Sequence, residues 1–170
     1  MNSGDKAVVR PVTPTDLQEI GELHARAFGP GRFARTAYRL REGTDGISPF
    51  CRLCRIDGRL VAAVRFTAIR IGGQTGALLL GPLAVDPAFA GQGYGRGLVA
   101  EALSAARSAG IRLVLLVGDE PYYARLGFKP VPRGRITLPG PVDPARLLAA
   151  ELADGALAGF SGPVSADRAS

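Results

Sequence analysis

The stretch from Ala77 to Val117 constrains the fold more than any other part of the chain. It reads ALLLGPLAV, then DPAFAGQGYGRG, then LVAEALSAARSAG, then IRLVLLV. The first and last segments are almost wholly apolar, the pattern of strands buried on both faces. Between them Leu98, Ala102 and Ala106, with Val99 and Leu103 alongside, recur at helical spacing, and Gly110 is placed to end the helix. Gly81-Pro82 interrupts the first strand. Proline cannot donate to a β-ladder, so the strand must bulge or leave its neighbour there.

The surrounding sequence builds a sheet around this unit. VVRPV reads as a short strand, and TPTDLQEIGELHARAF as a helix with Thr13 at the N-cap, Pro14 in the first turn and Asp16 completing a capping box. Leu17, Ile20, His24 and Ala27 follow at helical spacing. Gly29 to Gly31 break that helix, and RFARTAYRLRE resumes one. FCRLCRI and RLVAAVRFTAIRI then form a hairpin about Asp57-Gly58, and GGQTG makes a second turn. After the central unit come a loop with a short helix, GDEPYYARLGF, and two short strands, FKPV and RITL. The expected architecture is α/β: a mixed sheet with helices on its faces. One domain spans residues 1–170, with a core over about 8–138 and a docked tail over about 139–170 that carries one helix near Pro144 to Leu152.

Composition narrows the function classes. A chain of 170 residues can bury about 70% of its unfolded surface, so it needs neither disulfide nor metal to fold. Cys51 and Cys54 form a lone C-x-x-C in a strand, which points the thiols to opposite faces, and no metal site is expected. No apolar run reaches the roughly 20 residues of a membrane span, and the N-terminus lacks a signal core. A cytoplasmic protein without membrane partners is expected. The net charge is +6, carried by arginine apart from Lys6 and Lys129. The arginines are scattered rather than clustered, which argues against a nucleic-acid partner.

The sharpest chemical signal is the loop before the central helix. Gly91, Gly93, Gly95 and Gly97 alternate at a helix start, with Arg96 among them. A helix N-terminus carries unpaired N–H groups and partial positive charge, and glycine lets an anion approach the backbone. The pattern suits a pyrophosphate. It is neither a Walker loop, since no Gly-Lys-Ser/Thr follows, nor a Rossmann fingerprint, since Arg96 and Leu98 stand where the third glycine would fall.

LGPLAVDPAFAGQGYGRGLVAEALSAARSAG resembles the cofactor motif of the GNAT (Gcn5-related N-acetyltransferase) superfamily, Gln/Arg-x-x-Gly-x-Gly/Ala opening a helix after a splayed strand. Ala90 stands at the Gln/Arg position, so one side chain near the pyrophosphate is lost while the backbone donors remain. GDEPYYARLGFKPV resembles the family's closing motif, in the form of a compact bacterial subgroup with Gly-Asp-x-x-Tyr-Tyr-x-x-x-Gly-Phe. The resemblance runs over about residues 8–165 and is strongest from Leu80 to Val131.

It implies a mostly antiparallel sheet with a splayed strand pair, and acetyl-CoA as the cofactor. Leu83, Ala84 and Val85 would pair with the pantetheine arm, and an N–H near Leu83 would stabilise the oxyanion. Gly91, Gln92, Gly93, Tyr94, Gly95 and Arg96 would hold the pyrophosphate. Tyr123 sits at the general-acid position, and a phenol with pKa near 10 is matched to a thiolate leaving group. Tyr122, its neighbour, would pack or line the cofactor entrance. Asp119 and Glu120 would cap the short helix or touch the cofactor arm. No general base stands out, and His24 is expected as a buried structural residue. Arg32, Arg35, Arg39 and Arg41 would flank the acceptor side and favour an acidic amine over a polyamine. The implied reaction is acetyl transfer to a primary amine of a small molecule or peptide, in a family whose members often form homodimers. The alternative reading is an acyl-CoA-binding sensor or partner domain without turnover.

Overall fold

The computed structural model describes residues 7–28 and 47–167. The helix expected over RFARTAYRLRE, with its arginines and Glu42, lies outside the described residues. Strand β1 (Ala7–Pro11) leads through a tight turn at Pro14–Asp16 into helix α1 (Leu17–Phe28). Strands β2 (Arg52–Ile56), β3 (Arg59–Ile71) and β4 (Gln74–Val85) follow, then helix α2 (Tyr94–Ser108), strand β5 (Leu113–Val117) and the one-turn helix α3 (Glu120–Tyr123). Strands β6 (Lys129–Pro130), β7 (Ile136–Thr137), β8 (Leu147–Glu151) and β9 (Gly162–Ala166) complete the chain.

The sheet runs β1-β2-β3-β4-β5-β8-β6. Along this path the pairs are antiparallel except β4 with β5, which are parallel because α2 crosses over between them; off it, β9 pairs β3 antiparallel and β7 parallel. Both hairpin turns follow from residues that tolerate positive φ: Asp57 (+49°) with Gly58 (+82°), and Gly72 (+58°) with Gly73 (+83°). The second turn is tighter than GGQTG suggests, because β4 already begins at Gln74. The 13-residue β3 pairs β4 along one edge, while its other edge is shared by β2 and β9.

Strand alternation sorts side chains to two faces. Val64, Phe66, Leu78, Leu80, Val114 and Leu116 face α2, whose Leu98, Val99, Ala102, Leu103 and Ala106 are buried against them. The opposite face holds two separate apolar clusters. One, around Leu23, Leu53, Leu60 and Ala63, packs on α1. The other, around Ile69, Leu79, Leu115 and Phe160, lies towards β7 and β9. Cys51 and Cys54 are buried free thiols in clusters on opposite faces, as the strand period requires.

The expected helix over Pro144 to Leu152 is not formed. Pro144–Arg146 make a single turn, which Asp143 caps by accepting from the Ala145 N–H at 2.9 Å. Leu147–Glu151 are then a strand inserted between β5 and β6, so this part of the chain belongs to the sheet rather than to a tail laid on it. Leu147 and Ala149 join one apolar cluster, and Leu148 and Ala150 join the other. A run buried on both faces has no amphipathic period, and leucine and alanine favour helix in isolation. Here the open edge of β5 overrode that preference.

One ion cluster ties the N-terminal elements together. Asp16, only 3% exposed, accepts two bonds from Arg10 at 2.8 Å each, one from the Thr13 N–H at 2.8 Å and one from the Thr13 hydroxyl at 3.0 Å. Arg55 of β2 lies 3.4 Å from Asp16 and pairs Glu19 of α1 at 2.8 Å. The Arg10 guanidinium, with the Thr13 donors, holds the Asp16 carboxyl far below the usual carboxylate range. A depressed folded-state pKa contributes stability that is present above the unfolded value and lost as pH falls below it. Asp16→Asn should therefore cost about 1.5–3 kcal/mol at pH 7. Its deficit against the native chain should shrink below about pH 4, as urea melts at pH 7 and pH 3 would show.

Candidate active site

The parallel pairing of β4 with β5 covers only Ala77, Leu78 and Leu79 against Leu113, Val114 and Leu115. β3 explains why it stops. Val64 pairs Leu83 and Phe66 pairs Leu80, so Gly81 and Pro82 together oppose Arg65 alone. That one extra residue bends β4 away from β5, which continues to Val117 with β8 as its partner. Gly81 has φ +129°, and the bond to Pro82 is cis. Beyond Leu79, the edge of β4 that had faced β5 meets no strand among the described residues. Leu83, Ala84 and Val85 lie on this freed length.

The chain then turns at Pro87–Phe89 and enters the glycine loop. Gly91 (φ +77°) and Gly93 (+87°) adopt the left-handed region that other residues avoid, and Gly93 caps α2. Gly91, Gln92 and Gly93 are exposed, and open space surrounds the position of a Cβ at Gly91, Gly93 and Gly97. By helix geometry, the first-turn N–H groups have no intrahelical acceptor and carry partial positive charge. Gly95 differs: a Cβ there would meet the Tyr122 hydroxyl at 2.9 Å and Val85 at 3.0 Å. The freed edge of β4, the start of α2 and Tyr122 are thus pressed together at Gly95. Arg96 lies over the Tyr122 ring, 5.6 Å from its centroid. Burial pushes the Tyr122 phenol up despite the nearby guanidinium.

Tyr123 sits beside this junction, at the C-terminal end of β5. Its ring packs edge-on against Tyr122 at 4.8 Å and Phe128 at 5.8 Å. Gly118 makes the space, since a Cβ there would lie 2.7 Å from Tyr123 Cε2. The Tyr122 and Tyr123 N–H groups donate to the Asp119 carbonyl. The Asp119 side chain makes no cap hydrogen bond to the short helix and pairs with exposed Arg146 at 3.6 Å. The structure therefore gathers Leu83, Val85, Gly95, Arg96, Tyr122 and Tyr123 into one region, with Gly91–Tyr94 at its rim.

Two features escaped the sequence reading. His24 is half-buried rather than part of the packed core, in a cleft it shares with Leu17, Ile20 and Arg65. This cleft lies on the face opposite α2, beside the bulge. Asp86, buried at 3% exposure, anchors the entry to the glycine loop through Arg59. An aspartate before Pro87 carries no such signal, because its partners are 27 and 60 residues away in sequence. Among the described residues no cluster of His, Cys, Asp and Glu could hold a metal, and no helix is long and apolar enough to cross a membrane.

Comparison with known proteins agrees with this geometry. Residues 17–128 match the model of the acetyltransferase (GNAT) family. The chain belongs to the GNAT family. The uncharacterized N-acetyltransferase YhbS of Escherichia coli K12 is 30% identical over 159 residues, covering 92% of this chain and 94% of that protein. YjhQ, an uncharacterized N-acetyltransferase from the same organism, is 32% identical over 119 residues, which span 66% of its length. The crystal structure of YhbS in complex with CoA superposes with a TM-score of 0.83 at 28% identity, covering 98% of this chain and 93% of the other. A GNAT acetyltransferase from Brucella melitensis in complex with acetyl-CoA gives 0.63 at 29% identity, covering 89% and 97%. The mixed sheet and its flanking helices are the GNAT fold.

The contact at Gly118 makes a direct prediction for this GNAT chain. Gly118→Ala should move the Tyr123 ring rather than the backbone and cost about 1–3 kcal/mol. Near-ultraviolet circular dichroism should change while the far-ultraviolet spectrum does not.

Proposed function

We propose that the chain is an acetyl-CoA-dependent N-acetyltransferase that moves the acetyl group directly to a primary amine of a small molecule or peptide. The observation that carries this reading is the junction at Gly95, where a freed strand edge meets a glycine-rich helix start. A strand edge offers alternating N–H and C=O groups to an extended amide-bearing arm, as in strand addition. A helix N-terminus stripped of side chains suits a pyrophosphate. The positive-φ glycines, the open space about them and Arg96 fit such an anion, and the CoA and acetyl-CoA complexes of related structures support the choice.

Acetyl-CoA supplies an activated thioester. The backbone of Leu83–Val85 orients it, and an N–H near Leu83 polarises its carbonyl. The neutral amine would attack the thioester carbonyl carbon and the C–S bond would break. Tyr123, held by Gly118 and Phe128 at the end of β5, would give its phenolic proton to the departing thiolate, and the proton lost by the acylated nitrogen would return through water to the phenolate. Tyr122 closes the mouth beside Arg96. The amine approaches through the cleft of Leu17, Ile20, His24 and Arg65, because α2 covers the other face. Ala90 leaves the pyrophosphate to backbone donors and Arg96.

Acetyl-CoA at one hundred times its dissociation constant adds about 2.7 kcal/mol of stability. Melting should rise by roughly 5–10 °C, with no shift from NADH. Once amine screening has supplied an acceptor, Tyr123→Phe should lower kcat at least about tenfold with acetyl-CoA affinity kept. Binding without thiol release from any amine would favour the sensor reading, and no melting shift would remove both.

A further inference from the structure

The glycine loop cannot place itself. Gly91, Gln92 and Gly93 are exposed and two of them have no side chain, so no packing of their own fixes the direction of the N–H groups at the helix start. The loop must be held at its ends. At the α2 end, Gly95 is wedged between Val85 and Tyr122. At the other end stands Asp86. Its N–H donates to the Val61 carbonyl at 2.8 Å, which fixes it to β3. Its carboxylate accepts from the Ala88 N–H at 3.0 Å and from Arg59 Nη2 at 3.0 Å, and Arg26 of α1 lies 3.6 Å away.

The Arg59 guanidinium also covers the Phe89 ring, 5.2 Å from its centroid. Phe89 in turn packs edge-on against Tyr94, the first residue of α2, at 6.2 Å. Asp86, Arg59, Phe89 and Tyr94 therefore bracket the loop, linking the residue before it to the residue after it. The Ala88 N–H and the two guanidinium groups keep the Asp86 carboxyl below its usual range, so the clamp stays charged.

We infer that Asp86 is a positioning residue for the cofactor: through Arg59 and Phe89 it sets the orientation of the Gly91–Tyr94 backbone that grips the pyrophosphate. This rests on the acetyl-CoA reading above. Asp86 touches no reacting atom, so its effect should fall on cofactor affinity and specifically on the part of the cofactor that the loop holds. Asp86→Asn keeps an acceptor for Ala88 but turns an amide donor towards Arg59 and Arg26.

The test measures binding of two ligands, acetyl-CoA by calorimetry and S-acetyl-pantetheine, which lacks the pyrophosphate, by NMR titration. In Asp86→Asn the dissociation constant for acetyl-CoA should rise about tenfold, while that for S-acetyl-pantetheine stays within about twofold. Arg59→Ala, at a side chain 59% exposed, should weaken acetyl-CoA in the same sense, and should add little in the Asp86→Asn background because both break one clamp. If Asp86→Asn does not fold, Arg59→Ala carries the comparison. Equal weakening of both ligands would reduce Asp86 to a general structural role and overturn the inference, as would unchanged acetyl-CoA affinity in the variants. A native chain that binds neither ligand would overturn the cofactor reading itself, and this inference with it.

Discussion

One extra residue in β4, opposite Arg65, separates β4 from β5, and the geometry of the site follows from that separation. Had the ladder continued past Leu79, every backbone group of Leu83–Val85 would be committed to a neighbouring strand. The bulge leaves a polar edge open in the middle of the sheet. The face opposite α2 carries two separate apolar clusters, with a cleft between α1 and β3. The glycine loop lies at the start of α2, whereas the cleft lies on the α1 side of the sheet.

The glycine loop trades rigidity for access. Side chains that would stiffen it would also block an anion, and glycine carries the largest conformational entropy to lose on ordering. The structure answers this by fixing what lies outside the loop. Buried Asp86 and its arginines hold one end, and the tight contact at Gly95 holds the other. The same logic recurs at Tyr123, whose position is set by a missing side chain at Gly118 and the Phe128 ring behind it. In both places a glycine serves a neighbour: at Gly95 and Gly118 the space matters, and at Gly91 and Gly93 the backbone angle.

Much of this was legible in the residues. Period and capping gave α1 and α2, Asp57-Gly58 gave the first hairpin, and Pro82 within an apolar strand announced the bulge, because each is a local steric or hydrogen-bonding rule. The β8 segment was misread because Leu147–Glu151 is apolar on both faces, so no period separates helix from strand. His24 was expected in the core because helical spacing shows which side of α1 faces inward but not how far the packing extends along it. Asp86 was missed because its meaning depends on Arg26 and Arg59, which sequence separates and folding joins.

The sequence by itself determined the order of elements, the place where β4 must leave its ladder and the chemical character of the loop that follows. Those properties are carried by single residues and their immediate neighbours: proline without an N–H, glycine without a Cβ, leucine and alanine at fixed spacing. Only the tertiary structure decided that β8 fills the open edge of β5. It alone set Tyr122 against Gly95 and brought Arg59 to Asp86. Those outcomes depend on contacts between groups far apart in the chain, and no local rule encodes a distance that only the folded sheet creates.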